Sequence, residues 1–319
     1  MEVDDIKKVG IVGAGLMGHG IAQTFALCGY NVTIFDTDKH ALESVPERIR
    51  NNFKVFIDLE INVESDVARC LTNITLCDTF ADMCEGVHLV VEAVSENLDL
   101  KRKIFSEVEH YVTRDVILCS NTSAISITEI GEALQHRERF LGTHFWNPPH
   151  VLPCVEVIKG QSTSDQAFET VFKVMKKVKK EPVRVLKDVP GFLGNRLQHA
   201  MWREAISMVE RNIAHPEDID KVIKYGFGLR SAFIGPLETA DLAGIDLTYA
   251  VHKYLFPYLD VSSEPSRALT ERIDKGLLGV KTGQGFHTWT PEKIKEIVSQ
   301  RDHVLLKILK TIEETKGSS

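Results

Sequence analysis

A run of about 20 consecutive apolar residues, the length that crosses a bilayer, is missing from this 319-residue chain, and no membrane partner is expected. Clustered positive charge is scarce as well: 38 Lys and Arg stand against 45 Asp and Glu, a formal net charge of -7. Phosphate backbones are held by clustered cations, so nucleic acid is not expected as a partner. The one lysine cluster, residues 173 to 182, keeps Val171, Val174 and Val178 at helical spacing and reads as a solvated helix face. The six cysteines (28, 70, 77, 84, 119 and 154) never form Cys-x-x-Cys and have no histidine-rich companions. Neither a zinc site nor a redox pair is indicated, no metal is expected, and buried free thiols in a reducing compartment are the plain reading. The N-terminus, Met-Glu-Val-Asp-Asp, shows neither the apolar run of a secretory signal nor the basic pattern of a transit peptide. A cytoplasmic location is expected, although a matrix protein whose presequence had been removed would read the same way.

What is present is ordinary globular composition, 43% hydrophobic and 26% charged, in a chain long enough for two domains of about 150 residues. Short β-branched runs occur at residues 8 to 12, 31 to 36, 88 to 94, 115 to 120, 139 to 145, 155 to 158 and 183 to 186, most of them separated by helical or polar stretches. Runs that are apolar on both faces, alternating with helices, predict an α/β fold of the Rossmann kind: a doubly wound, mainly parallel sheet. After Pro190-Gly191 such runs nearly vanish. Leu193, Leu197, Met201, Ala205 and Met208 then share one helical stripe, and further helices are predicted over 216 to 225, 236 to 258, 264 to 277 and 291 to 315. The expected organisation is a dinucleotide-binding domain over 1 to 190 and an all-helical domain over 191 to 319. Apolar stripes on long helices predict a homodimer through the second domain, and the terminal Lys-Gly-Ser-Ser is expected to fray.

The first strand runs directly into Gly13-x-Gly15-x-x-Gly18 at the start of a helix. In that motif the first glycine permits a tight turn, the second lets the backbone approach a pyrophosphate, and the third lets helix and strand pack closely. The turn residues Gly13, Gly15, Leu16, Met17 and Gly18 would present N–H groups and the helix dipole to the phosphates. Alone the motif also fits FAD or a methyl donor, or a bare turn. Asp36, at the end of the second strand, adds an acceptor for the adenosine ribose hydroxyls and repels a 2′-phosphate, so NAD is the expected cofactor. Lys39 leaves NADP slightly open.

Residues 144 to 158, His-Phe-Trp-Asn-Pro-Pro-His-Val-Leu-Pro-Cys-Val-Glu-Val-Ile, place a carboxylate between Val155 and Val157. Burying it is unfavourable without a partner, and His144 is the nearest one. With Cys119–Ile127, Thr143–Pro149, Asp188–Leu197 and residues 90 to 105, this stretch resembles the L-3-hydroxyacyl-CoA dehydrogenase family, in order, from residue 6 to about 288. The resemblance implies that His144 is the base that takes the proton from a substrate hydroxyl while hydride passes to the nicotinamide. It implies that Glu156 orients His144, that Ser123 hydrogen-bonds the reacting oxygen, and that Asn195 holds the substrate carbonyl. Glu96, Lys101 and Asn147 fall where the family contacts the nicotinamide ribose and carboxamide.

The expected reaction is reversible oxidation of a 3-hydroxyl to a 3-keto group, with a short 3-hydroxyacyl-CoA such as 3-hydroxybutyryl-CoA as the family's substrate. Three departures keep open a free hydroxy acid, as in relatives acting on L-gulonate, carnitine or a pyridine carboxylate. Residues 53 to 70 read as short and partly acidic where the family has a helical pair whose lysine helps hold CoA. Pro149 stands where CoA enzymes usually carry an aliphatic residue. Residues 226 to 238 bring Arg230, which resembles a substrate-carboxylate ligand of the gulonate-type relatives, reaching in from a partner subunit, and which read alone is equally a surface arginine. Resemblance to lambda-crystallin also raises a non-enzymatic reading, a structural NAD-binding protein, against which the Ser-His-Glu-Asn set weighs.

Overall fold

The computed structural model describes residues 2–317. Eight strands, β1 (Lys8–Val12), β2 (Asn31–Phe35), β3 (Ile74–Cys77), β4 (Leu89–Glu92), β5 (Ile117–Ser120), β6 (Phe140–Phe145), β7 (Cys154–Ile158) and β8 (Glu181–Val185), form one sheet. Its order is β3-β2-β1-β4-β5-β6-β7-β8, with every pair parallel except β6 and β7. β1, β2, β4, β5, β6 and β7 are buried on both faces because helices cover both, as the doubly wound reading requires. Strand order reverses between β1 and β4. That is where a crevice opens at the carboxyl ends of the strands, the place where such sheets bind ligands.

The first half carries helices α1 (Gly18–Leu27), α2 (Lys39–Glu43), α3 (Val45–Asp58), α4 (Glu64–Thr72), α5 (Phe80–Cys84), α6 (Leu98–Tyr111), α7 (Ile127–Gly131) and α8 (Asp165–Lys177). α3 and α4 correct the reading of residues 53 to 70: a helical pair is present there. Ile49, Phe53 and Phe56 of α3 and Val67 and Cys70 of α4 join the core around β1 and β2. β3, unread in the sequence, is an edge strand with Leu76 exposed, so it lacks the continuous apolar run of its neighbours. α8 keeps Lys173, Lys176 and Lys177 in solvent as expected, whereas Lys180 beyond it is buried, donating to Pro149 O at 2.6 Å and Leu152 O at 3.0 Å.

The second half is helical: α9 (Gly194–Glu210), α10 (Pro216–Tyr225), α11 (Phe227–Arg230), α12 (Pro236–Ala243), α13 (Ile245–Leu255), α14 (Arg267–Asp274) and α15 (Pro291–Gly317). The single helix expected over 236 to 258 is interrupted at Gly244, whose φ of 96° is a left-handed conformation that suits glycine. Of the terminal Lys-Gly-Ser-Ser, Lys316 and Gly317 belong to α15 and the two serines lie outside the described residues.

Two compact units emerge, Met1–Arg196 with Ser299–Ser319, and Leu197–Val298. They divide differently from the two sequence segments because the last turns of α15 pack on the first unit. Leu306 is buried in the core that contains Phe53 and Phe168, and Lys310 donates to Leu59 O at 2.9 Å. The unit over 197–298 is built otherwise. Among its described residues only Ile219 and Ala268 are buried hydrophobics, while Leu237, Leu242, Tyr254 and Val261 are 75–83% exposed.

Candidate active site

The antiparallel pairing of β6 and β7 sets His144 directly opposite Glu156. Opposed residues in such a ladder project from the same face, so a separation of twelve residues becomes contact. His144 Nδ1 lies 2.7 Å from Glu156 Oε2, with both side chains buried. The other oxygen, Oε1, accepts the N–H groups of Leu193 at 2.9 Å and Gly194 at 3.0 Å, where α9 begins. Burial would raise the carboxyl's pKa, but the hydrogen bonds from His144, Gly194 and Leu193 outweigh it and hold Glu156 below its ordinary value. An ionised Glu156 only accepts, so Nδ1 carries a proton, and in the neutral ring Nε2 is then the nitrogen with the lone pair. The ring is set between Trp146 and Phe192, at centroid distances of 5.1 and 6.0 Å. Trp146 in turn packs where Gly194 has no side chain: a Cβ there would stand 2.1 Å from the indole.

Ser123 lies exposed in the turn after β5. Its geometry is imposed by Glu96, whose Oε1 accepts Thr122 Oγ1 at 2.6 Å and the N–H groups of Ser123 and Ala124 at 2.9 Å each. Those bonds and Lys101 overcome burial and lower the Glu96 pKa. Asn195 Nδ2 donates to Ser123 O at 2.8 Å, tying the start of α9 to the same turn. The structure thus brings Ser123, Glu96 and Asn195 together. Asn147 is exposed two residues beyond β6.

Lys101 lies deeper than a surface ligand. Its ammonium, 1% exposed, is 2.7 Å from Glu92 and 3.5 Å from Glu96. Glu92 went unremarked in the sequence, yet it is fully buried at the end of β4, accepting Lys101 Nζ, Val94 N at 2.8 Å and Ser120 Oγ at 2.6 Å. A carboxylate in the run Val-Val-Glu-Ala-Val is the same signal that marked Glu156, and it was legible. Arg230, on α11 in the second unit, is exposed and has no hydrogen bond or ion pair for its guanidinium among the described residues.

Each glycine of the turn meets a different constraint. Gly13 has φ of 102°, and a Cβ there would come within 2.7 Å of Ala93 O; at Gly18 it would stand 1.7 Å from Gly13 O. Both are required by the fold itself. Around Gly15 nothing lies within 4 Å of the absent Cβ, and its φ is not left-handed. Its smallness serves no protein neighbour, only something that comes close to the backbone. Asp36 Oδ2 accepts Ala14 N at 2.7 Å and Oδ1 accepts Asp38 N at 2.8 Å, which fixes the carboxylate at the rim. A cavity of about 320 Å³ beside it is lined by Gly13, Gly15, Asp36, Phe80, Val94 and Leu100, among others. These residues fit a dinucleotide with its pyrophosphate on the turn and its ribose on Asp36.

Comparison with known proteins gives the family and the fold. The profile described as "3-hydroxyacyl-CoA dehydrogenase, NAD binding domain" matches residues 8–189, and that described as "3-hydroxyacyl-CoA dehydrogenase, C-terminal domain" matches 191–289. The chain is 32% identical to a 5-formyl-3-hydroxy-2-methylpyridine 4-carboxylate 5-dehydrogenase of Mesorhizobium japonicum, over 97% of this chain and 99% of that one. A crystal structure of a 5-dehydrogenase of that pyridine carboxylic acid, called an NAD+ dependent dismutase, superposes with a TM-score of 0.91 at 32% identity, covering 97% of this chain and 99% of the other. An (S)-3-hydroxybutyryl-CoA dehydrogenase from Ralstonia eutropha superposes with a TM-score of 0.75 at 37% identity, covering 89% and 99%. The chain belongs to the 3-hydroxyacyl-CoA dehydrogenase family, whose NAD-dependent oxidoreductase chemistry acts on CH–OH.

Proposed function

We propose that this dehydrogenase oxidises the hydroxyl-bearing carbon of a free acid (an alcohol or the hydrate of an aldehyde), with His144 as base, Glu156 as its orienting carboxylate, and Ser123 and Asn195 as positioning groups. NAD, when bound, accepts the hydride. His144 Nε2 takes the hydroxyl proton, and the fixed negative charge of Glu156 stabilises the imidazolium as it forms. Ser123 Oγ donates to the substrate oxygen, and Asn195 keeps the Ser123 turn against the start of α9.

The free-acid reading rests on the face that CoA would need. The groove between α3 and α4 is lined by Arg50 and Lys54 but also by Asp58 and Glu64. Its charges cancel, which suits a polyanionic CoA poorly. The full-length likeness to a pyridine-carboxylate enzyme supports the same reading. Arg230, unpaired and able to bind a carboxylate bidentately, is the residue we assign to the acid group, supplied by a second copy. A short 3-hydroxyacyl-CoA is the second reading, favoured by the helical pair itself.

The test is NAD reduction with a panel of pyridine carboxylates carrying a hydroxymethyl or formyl group, L-gulonate, carnitine and 3-hydroxybutyrate, beside NADH oxidation with acetoacetyl-CoA. Turnover confined to a free acid, with KM raised at least tenfold by Arg230→Gln, is expected. Efficient turnover of the CoA ester, indifferent to Arg230, would give the site to the second reading.

We further propose that the working form is a homodimer joined through 197–298. A unit with two buried hydrophobic side chains and a surface carrying Leu237, Leu242, Tyr254 and Val261 has no sufficient core of its own. A second copy is the simplest cover, since self-complementary pairs are the commonest assemblies.

A further inference from the structure

Arg48 belongs to none of the motifs above. It lies on the first turn of α3, half-buried, and its guanidinium addresses the back of the glycine turn: Nη1 donates to Ala14 O at 2.8 Å and Nη2 to Gly15 O at 3.0 Å. Nη2 also lies 2.8 Å from His19 Nδ1. The same ring nitrogen lies 2.9 Å from Gly15 O, and His19 is buried on α1. Burial lowers the His19 pKa, and the Arg48 charge lowers it further against the opposing contact with Gly15 O. One side chain therefore grips two successive carbonyls of the turn.

The consequence follows from peptide geometry. In a trans peptide the C=O and N–H point in opposite directions. Ala14 O shares its peptide with Gly15 N–H, and Gly15 O shares its own with Leu16 N–H. Holding both oxygens toward α3 turns both N–H groups the other way, and neither has a partner among the described residues. A hydrogen bond to an amide oxygen also polarises that amide's N–H and makes it a better donor. Two successive unpaired N–H groups form an anion-binding nest.

We propose that Arg48 is a positioning residue of the cofactor site: it holds and polarises the N–H groups of Gly15 and Leu16 toward the NAD pyrophosphate without touching the cofactor. The role rests on NAD binding at this turn, which the wild-type titration checks separately. NADH binding is followed by fluorescence, with ADP-ribose and adenosine as competitors, in wild type, Arg48→Met and Arg48→Lys. Arg48→Met is expected to weaken NADH and ADP-ribose about tenfold while adenosine, which lacks phosphate, is unaffected. Arg48→Lys keeps the charge and the stem but cannot bond both carbonyls with a fork, and should lose about threefold; it also carries the test if the methionine variant does not fold. Unchanged NADH binding in both variants overturns the proposal. So does an equal loss for adenosine, which would make Arg48 a general prop of the domain.

Discussion

Glu156 uses both oxygens, one for the histidine and one for the start of α9, so its removal separates two effects. Glu156→Gln keeps the shape but lets the side chain donate as well as accept, and the tautomer of His144 is no longer dictated. We expect kcat to fall by roughly 10²–10⁴ with NADH affinity unchanged, measured by steady-state rates beside fluorescence titration. The two inner glycines give a sharper contrast. Gly18→Ala forces a contact with Gly13 O that backbone must move to relieve, and the protein should lose stability in thermal melts. Gly15→Ala has open space around it and should melt like wild type while losing most NADH binding. His150 adds a pH effect. Burial, aided by the charges of Lys180 and Arg301, lowers its pKa to about 3. In the unfolded chain it protonates near its ordinary 6.5, so between those values the unfolded state binds the extra proton. Stability therefore falls as pH drops below 6.5, by up to about 1.4 kcal/mol per pH unit from this group. His150→Phe should flatten that limb of the stability curve in urea titrations at pH 7 and pH 5.

At the scale of elements, most of the sheet was legible because its central strands are buried on both faces and read as unbroken apolar runs. β3 was not, since an edge strand needs only one covered face and Leu76 faces solvent. α3 was lost for another reason: its core positions Ile49, Phe53 and Phe56 sit among Arg48, Arg50, Lys54 and Asp58, so charge obscured the stripe. The pair His144 and Glu156 was legible as a pair, but only the antiparallel turn of β6 and β7, in a sheet otherwise parallel, explains why twelve residues bring them together. Glu92 and Lys101 show the limit from the other side. Lys101 was singled out without the buried carboxylate it pairs with, because the nine-residue separation of Glu92 and Lys101 carries no pattern that joins them. Lys101→Met would leave Glu92 buried without its cation; a loss of about 3 kcal/mol in chemical denaturation is expected.

For the whole molecule, the proposed dimer is tested at the bare surface of residues 197–298. We expect light scattering after gel filtration to report twice the chain mass. Leu242→Asp, on a side chain 77% exposed in the single chain, should shift it toward one copy if that face is covered in the pair, and reduce activity with it. The path of the chain carries a different consequence. The first unit is interrupted: its sheet is complete by Val185, but Leu306, which seals part of its core, comes only after all of 197–298. A ribosome delivers residues in order. The cofactor-binding unit must therefore wait, with one flank open, until the entire helical unit has been synthesised, because the last piece of the first core to be made lies beyond it.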